Sequence, residues 1–225
     1  VPSGKVSVIV NWYDDKSVHE VPWQENRFAQ KFGLSENRFY VQYAGTMGYV
    51  FDYPMVLSVA EILRIYADIE FQMVGEGSQR AVFEREARRR ELHNIRFFPL
   101  QPQHLVGDVY SAASVCLVPL KRGIIGNSVP SKVALIMACN RAVINSVDEG
   151  SQYYQMFEEN RIGLCAPNTD PQAVADAILA LYMDKDDRER LARNGLKFGE
   201  AFYSRSSNTA NLIHLFAEMV GRRSI

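Results

Sequence analysis

Val115-Cys116-Leu117-Val118-Pro119-Leu120 is an unbroken apolar run. Six residues is the length of a strand, and a strand without polar alternation is one covered on both faces. The stretch behind it, Lys121-Arg122-Gly123-Ile124-Ile125-Gly126-Asn127-Ser128-Val129-Pro130, carries two glycines, a proline and two cations, the composition of a loop. Helical spacing over residues 131–139 and a second apolar strand over 142–147 complete a strand–helix–strand unit. Such a unit makes its two strands parallel, joined by a right-handed crossover.

The same alternation extends outward in both directions. Strands are predicted over residues 6–12, 39–45, 69–75, 95–100 and 163–166, and helices over 54–66, 79–92, 104–113, 151–159, 172–183, 187–202 and 206–220. In 69–75, Ile69, Phe71 and Met73 alternate with Glu70 and Gln72. Asp170 followed by Pro171 is a helix start. Residues 13–36 read as a polar, irregular lead-in that joins the domain to something else. The expected organisation is a hinge segment over 1–36 that packs with one domain over 37–225. The expected fold is α/β, a doubly wound Rossmann-like domain with a parallel sheet.

Composition supports a folded domain. The chain has 225 residues, 47% of them apolar and 23% charged, and its 25 cations and 26 carboxylates leave a net charge of −1. That excludes disorder driven by charge and gives no reason to expect a nucleic-acid partner. Three widely spaced cysteines, Cys116, Cys139 and Cys165, rule out a disulfide framework and read as small core residues in a reducing compartment. There is no Cys/His cluster of metal-ligand spacing. No apolar run approaches the ~18 residues of a membrane span, and no signal peptide opens the chain. The chain begins at Val1 without Met, which reads as the mark of a fragment.

In an open parallel sheet, ligands bind beyond the C-terminal strand ends, so the loops there are the candidates. Gly45 and Gly48, in Ala44-Gly45-Thr46-Met47-Gly48, let backbone approach a ligand, although an ordinary turn would look the same. The pattern lacks the third glycine of a dinucleotide fingerprint. Gly75-Glu76-Gly77-Ser78 reads as a tight turn in which Ser78 caps the next helix. The loop after residue 120 combines glycines, Lys121, Arg122 and a helix start, which suits an anionic phosphate, but it is not a Walker A sequence. The mixed charges of 84–90 read as a solvated helix face. His19, His93, His104 and His214 each stand alone.

Several of these segments, taken in order, resemble a known family. They are Phe39-Tyr-Val-Gln-Tyr-Ala-Gly-Thr-Met-Gly48, Phe71-Gln-Met-Val-Gly-Glu-Gly77, Ile95-Arg-Phe-Phe-Pro99, Val118-Pro-Leu-Lys121, Ser128-Val-Pro-Ser-Lys132, Ile136-Met-Ala-Cys139 and Ala142-Val-Ile-Asn-Ser-Val-Asp-Glu-Gly150. Together they are similar to the C-terminal half of a GT-B retaining glycosyltransferase of family 4 type, nearest to the polysaccharide and O-antigen amino-sugar transferases. Asn11-Trp12-Tyr13-Asp14 resembles that family's Asn-Gly-Val-Asp hinge.

The resemblance implies a nucleotide-sugar donor domain over 37–225, one half of a GT-B fold, that works with an N-terminal acceptor-binding domain absent from this chain. Gly45 and Gly48 would lie beside the donor diphosphate, held by Lys121 and the N–H groups of Val129, Ser131 and Lys132. Asn127 would meet the sugar, and Pro99, Leu100 and Gln101 would edge the base. The implied reaction needs no metal or other cofactor, because cations stabilise the departing nucleoside diphosphate. The implied donor is a UDP-sugar and the acceptor a glycan or lipid-linked sugar. The implied location is cytoplasmic, at the inner face of a membrane through the absent domain.

Three positions depart from the family pattern. Residues 49–55 hold no cation. Asn127 and Leu135 stand where the family has paired glutamates, and leucine cannot hold a ribose; that contact is lost or is supplied elsewhere, with Asp148 and Glu149 as the candidates. Asn140-Arg141-Ala142 replaces Gly-Arg/Lys-Pro. These departures keep two alternatives open: a GT-B-like domain without donor binding, and a sugar-nucleotide epimerase-like enzyme, for which no acid–base cluster stands out.

Overall fold

The computed structural model describes residues 6–126 and 130–221. The strands are β1 (Phe39–Ala44), β2 (Ile69–Val74), β3 (Ile95–Phe98), β4 (Val115–Pro119), β5 (Ala142–Val147) and β6 (Leu164–Pro167). The helices are α1 (Arg27–Phe32), α2 (Tyr53–Leu63), α3 (Arg80–Arg89), α4 (Val106–Ser111), α5 (Lys132–Ala138), α6 (Gln152–Asn160), α7 (Pro171–Met183), α8 (Lys185–Phe202) and α9 (Arg205–Gly221).

All six strands lie parallel in one sheet of order β3-β2-β1-β4-β5-β6. The chain order reverses direction between β1 and β4, which makes their junction the topological switch point. Their pairing covers Val41–Val115 and Gln42–Cys116 alone, so the strand ends beyond it are free to part. Core forms on both faces. Val56, Val59, Ala60 and Leu63 of α2, Phe83 of α3 and Val174, Ile178 and Leu181 of α7 pack on one side with Val41, Phe71 and Ile144. Phe28 of α1, Val109 and Tyr110 of α4, Ile136 of α5 and Phe157 of α6 pack on the other with Cys116, Val118 and Val143.

Coverage on both faces explains one departure from the sequence pattern. Glu70 and Gln72, which alternate with apolar residues, are buried like the rest of β2. Glu70 is reached by Arg38 at 3.2 Å and Arg96 at 3.3 Å, and Gln72 accepts from Gln42 Nε2 at 3.0 Å. Partners of this kind offset the cost of burying Glu70 and, through its Oε1, Gln72, whose Nε2 finds no partner among the described residues.

Two expectations need correction. Residues 6–12 form no strand; Val6, Val8 and Trp12 are exposed, and the sheet begins at Phe39. An alternating apolar pattern makes a strand only where a neighbour completes its hydrogen bonds. The lead-in is also less irregular than its polarity suggests. Asn26 caps α1 by accepting from Ala29 N, Gly33 ends it at φ 60°, and Phe28 is fully buried. Asn26 Nδ2 donates to the Asp108 carbonyl at 2.7 Å, while the Asp108 carboxylate accepts from Arg27 N at 2.8 Å and from its guanidinium at 2.6 Å. Six residues are too few for helical periodicity to stand out, although both caps are visible in the sequence.

Candidate functional site

The loops after β1 and β2 are laced together by backbone. Gly45 N donates to Val74 O at 2.9 Å, Met47 N to Glu76 O at 2.8 Å, and Gln79 N to Met47 O at 2.9 Å. A Cβ on Gly75 would sit 2.1 Å from Gly45 O, and one on Gly77 would sit 2.4 Å from Met47 O. Gly45, Gly75 and Gly77 have φ of 144°, 134° and 153°, which L side chains rarely adopt. These glycines therefore serve contact between the loops. Ser78, the expected cap, does not act as one: α3 begins at Arg80, and Gln79 holds the cap position without a side-chain hydrogen bond. Gln79 instead donates its N–H to Met47 O and its Nε2 to Gly48 O at 2.7 Å.

Arg80 is near this rim but committed elsewhere. Its guanidinium donates to Gly75 O and Phe98 O and pairs with Glu76 and Glu84. Lys121 and Lys132 differ. Neither forms an ion pair with a carboxylate of the described residues, and each lies against an aromatic ring. Lys121 Nζ is 5.1 Å from the centroid of the exposed Tyr49 ring. Lys132 Nζ is 3.8 Å from that of Tyr43, directly beneath Gly45, where an added Cβ would come within 3.1 Å of it. Burial pulls the Lys132 ammonium down to about 7, and burial pushes the Tyr43 phenol up. The Tyr43 hydroxyl donates to Thr46 O at 2.6 Å.

The sequence-predicted residues fall as follows. Gly45 and Lys132 come together at the switch point. Gly48 is in the same loop, its carbonyl accepting from Phe51 N and Gln79 Nε2. Lys121 follows β4, with its N–H donating to Val50 O and Asp52 N donating to Pro119 O, so the 49–52 loop is tied to the end of β4. Pro99, Leu100 and Gln101 follow β3 at the sheet edge, where Gln101 Nε2 donates to Pro99 O at 2.7 Å. Ser131 is exposed before α5 and makes no side-chain cap bond. Asn127 and Val129 lie outside the described residues. Leu135 packs as a partly buried core residue, and both Asp148 oxygens accept from Gly123 N at 2.9 Å, so this carboxylate latches the loop after β4. Sequence reasoning placed Lys132 among the site residues, but not its side chain on the Tyr43 ring, for which the sequence offers only a lone cation heading the apolar Lys-Val-Ala-Leu-Ile-Met-Ala of α5. Among the described residues, no three His, Cys, Asp or Glu side chains gather where a metal ion could sit.

A doubly wound parallel sheet with interlocked glycine loops and two lysines at its switch-point rim defines the class of α/β domains that take their ligands at that rim. Known proteins narrow this class. The chain belongs to the glycosyl transferases group 1 family, whose model matches residues 24–198. It is 26% identical over 170 residues to the probable glycosyltransferase WbjE of Pseudomonas aeruginosa, covering 76% of this chain and 42% of that protein. It is 27% identical over 188 residues to WcaI of Escherichia coli (strain K12), described as a colanic acid biosynthesis glycosyl transferase, covering 82% of this chain and 46% of that one. The chain thus spans less than half the length of these curated relatives. Its fold is that of GT-B glycosyltransferases; Alr3699/HepE of Anabaena, solved in complex with UDP and glucose, superposes with a TM-score of 0.74 at 13% identity, covering 94% of this chain and 56% of that one.

Proposed function

We propose that this chain is the donor-binding half of a retaining glycosyltransferase that transfers a sugar from a UDP-sugar to a glycan or lipid-linked acceptor in cell-surface polysaccharide synthesis. The observation that carries the reading is the pair of carboxylate-free lysines, Lys121 and Lys132, beside interlocked glycine loops at the switch point. A departing nucleoside diphosphate carries charge that must be stabilised, and fixed cations in a partly desolvated rim do this without a metal. The UDP in the HepE complex and the colanic acid description of WcaI support the donor and pathway classes.

The acceptor would be held by a second, N-terminal domain. We infer that its seat is near the chain junction where Tyr13 bridges Ser204. Val6, Val8, Val10 and Trp12 are exposed on one side of that junction, and Ile213, Phe216, Met219 and Val220 on the other along α9. These exposed apolar side chains support a covering partner there. We place the whole enzyme in the cytoplasm, reaching the membrane's inner face through that second domain; no described helix of this chain is long and apolar enough to cross a membrane.

Calorimetric titration of the 225-residue chain with UDP tests the reading. Binding weakened by Lys121→Ala is expected. Absence of binding to any nucleoside diphosphate at millimolar concentration would favour a domain without donor binding, the alternative that Leu135 and the cation-free 49–55 loop support. Incubation of the whole protein with UDP-sugar alone, followed by product analysis, separates transfer from epimerisation.

A further inference from the structure

The loop that follows the glycine turn after β1 is fixed against the end of β4. Gly48 O accepts from Gln79 Nε2 at 2.7 Å, Val50 O from Lys121 N at 3.1 Å, and Pro119 O from Asp52 N at 3.1 Å. Phe51 bridges Leu120 as an antiparallel pair, and its fully buried ring lies 4.3 Å from that of Tyr43 and 5.7 Å from that of Phe83. Tyr49 stands between these anchors, yet it is 77% exposed. Its hydroxyl bonds to none of the described residues, and its ring is met by Lys121 Nζ, 5.1 Å from the centroid. Residues 49–55 hold no cation, so the group this loop offers beside Lys121 is aromatic. A large ring held in place without covering core is preorganised for a ligand.

The sheet order sets which part of a ligand meets that ring. Lys121 follows β4 at the switch point, and a nucleotide sugar whose diphosphate lies there extends both ways along the row of strand ends. With the base at Pro99, Leu100 and Gln101 beyond β3, the sugar falls on the opposite side, past β4. The Tyr49 loop leaves β1 but is tied to the end of β4, which puts its ring on the sugar side.

We propose that the Tyr49 ring is the platform on which the pyranose of the donor stacks. A pyranose carries polarised C–H groups on its faces and hydroxyls around its rim. The negative face of an aromatic ring attracts such C–H groups as it attracts a cation, and the Lys121 ammonium already uses the ring in that way. The contact selects a flat C–H face and needs no hydroxyl on the tyrosine. This inference rests on the nucleotide-sugar reading above and adds the residue that meets the sugar.

The test is calorimetry of the 225-residue chain with UDP, UDP-glucose and UDP-N-acetylglucosamine. Tyr49→Ala is expected to weaken binding of at least one UDP-sugar about fivefold and that of UDP less than about twofold. Tyr49→Phe, which keeps the ring, is expected to bind all three like the wild type. Tyr49→Leu, which keeps bulk without a ring, is expected to behave as Tyr49→Ala and serves in its place should that variant melt early. Equal weakening of UDP and the UDP-sugars, unchanged binding of all three, or a wild type that binds UDP and neither UDP-sugar overturns the platform and leaves the nucleotide site standing. No binding of UDP by the wild type overturns both.

Discussion

Gly75→Ala tests whether the two glycine loops are locked by steric necessity. At φ 134° an alanine is strained, which costs about 1–3 kcal/mol. Its Cβ would also lie 2.1 Å from the Gly45 carbonyl oxygen, a backbone atom that cannot rotate away. Relieving that overlap requires the loops to separate, an overpacking cost of another ~1–3 kcal/mol. The sum, about 4 kcal/mol, is a large share of a domain stability of roughly 5–15 kcal/mol. With a urea dependence of about 2 kcal/mol per molar, the midpoint should fall by ~2 M. Gly48→Ala is the control: its Cβ would meet only Thr46 Cγ2 at 3.5 Å, and its φ is not in the left-handed region. Its midpoint should stay within ~0.3 M of the wild type. Urea unfolding followed by circular dichroism reads both. Equal midpoints for the two variants would refute the interlock.

Other consequences follow from the same contacts. Phe28→Ala, which removes a fully buried ring packed on Phe32 and Phe98, should cost about 3–5 kcal/mol in urea unfolding and would show that the lead-in helix is core. Burial opposes ionisation of Asp108, but its bonds from Arg27 outweigh it and hold the carboxyl below 3.8. Its contribution is therefore full above pH 4 and lost as pH falls further, so Asp108→Asn should flatten the acid limb of a stability–pH curve while costing ~1–3 kcal/mol at pH 7. At the alkaline end, burial pushes the Cys139 and Cys165 thiols from 9.0 to about 12, so stability should fall as pH rises above 9. Lys132 acts in the opposite sense. Its folded value of about 7 lies below the ordinary 10.5, so the unfolded chain binds more protons between these values and stability should rise from pH 7 toward 9, a rise absent in Lys132→Met. Asp148→Ala should release Gly123 N and speed tryptic cleavage after Lys121 or Arg122 severalfold, read by mass spectrometry; an unchanged rate would mean the latch does not restrain the loop.

The fold was legible because its signals are long. The apolar run at Val115 and the strand–helix–strand unit behind it place β4, α5 and β5, and residues 142–147 match β5 residue for residue. Signals shorter than about two turns carried less. The cap pair Asn26 and Gly33 marks α1, but polarity hid it. Residues 6–12 mislead in the other direction, since a strand pattern does not say whether a partner strand exists. The site was legible in its loops and not in its side-chain geometry. That Gly75 must be glycine follows from the Gly45 carbonyl, a contact between loops far apart in sequence.

Lys132 shows why the rest was hidden. In sequence it is the cation that heads a helix, and the family resemblance assigns a role to its N–H. The topology changes that reading. Because β1 and β4 pair over only two positions, the switch point leaves a gap between the faces of the sheet, and a four-carbon arm from α5 is long enough to cross it. The loop over 49–55 has no cation to offer from the β1 side. The positive charge at the Gly45 loop is thus supplied from α5 and steadied on Tyr43, with glycine at position 45 leaving room for it. Gly45→Ala should therefore lower UDP affinity through displacement of Lys132. Equal weakening of UDP binding by Gly45→Ala in the wild type and in Lys132→Met would show that the loop, and not the lysine beneath it, carries the loss.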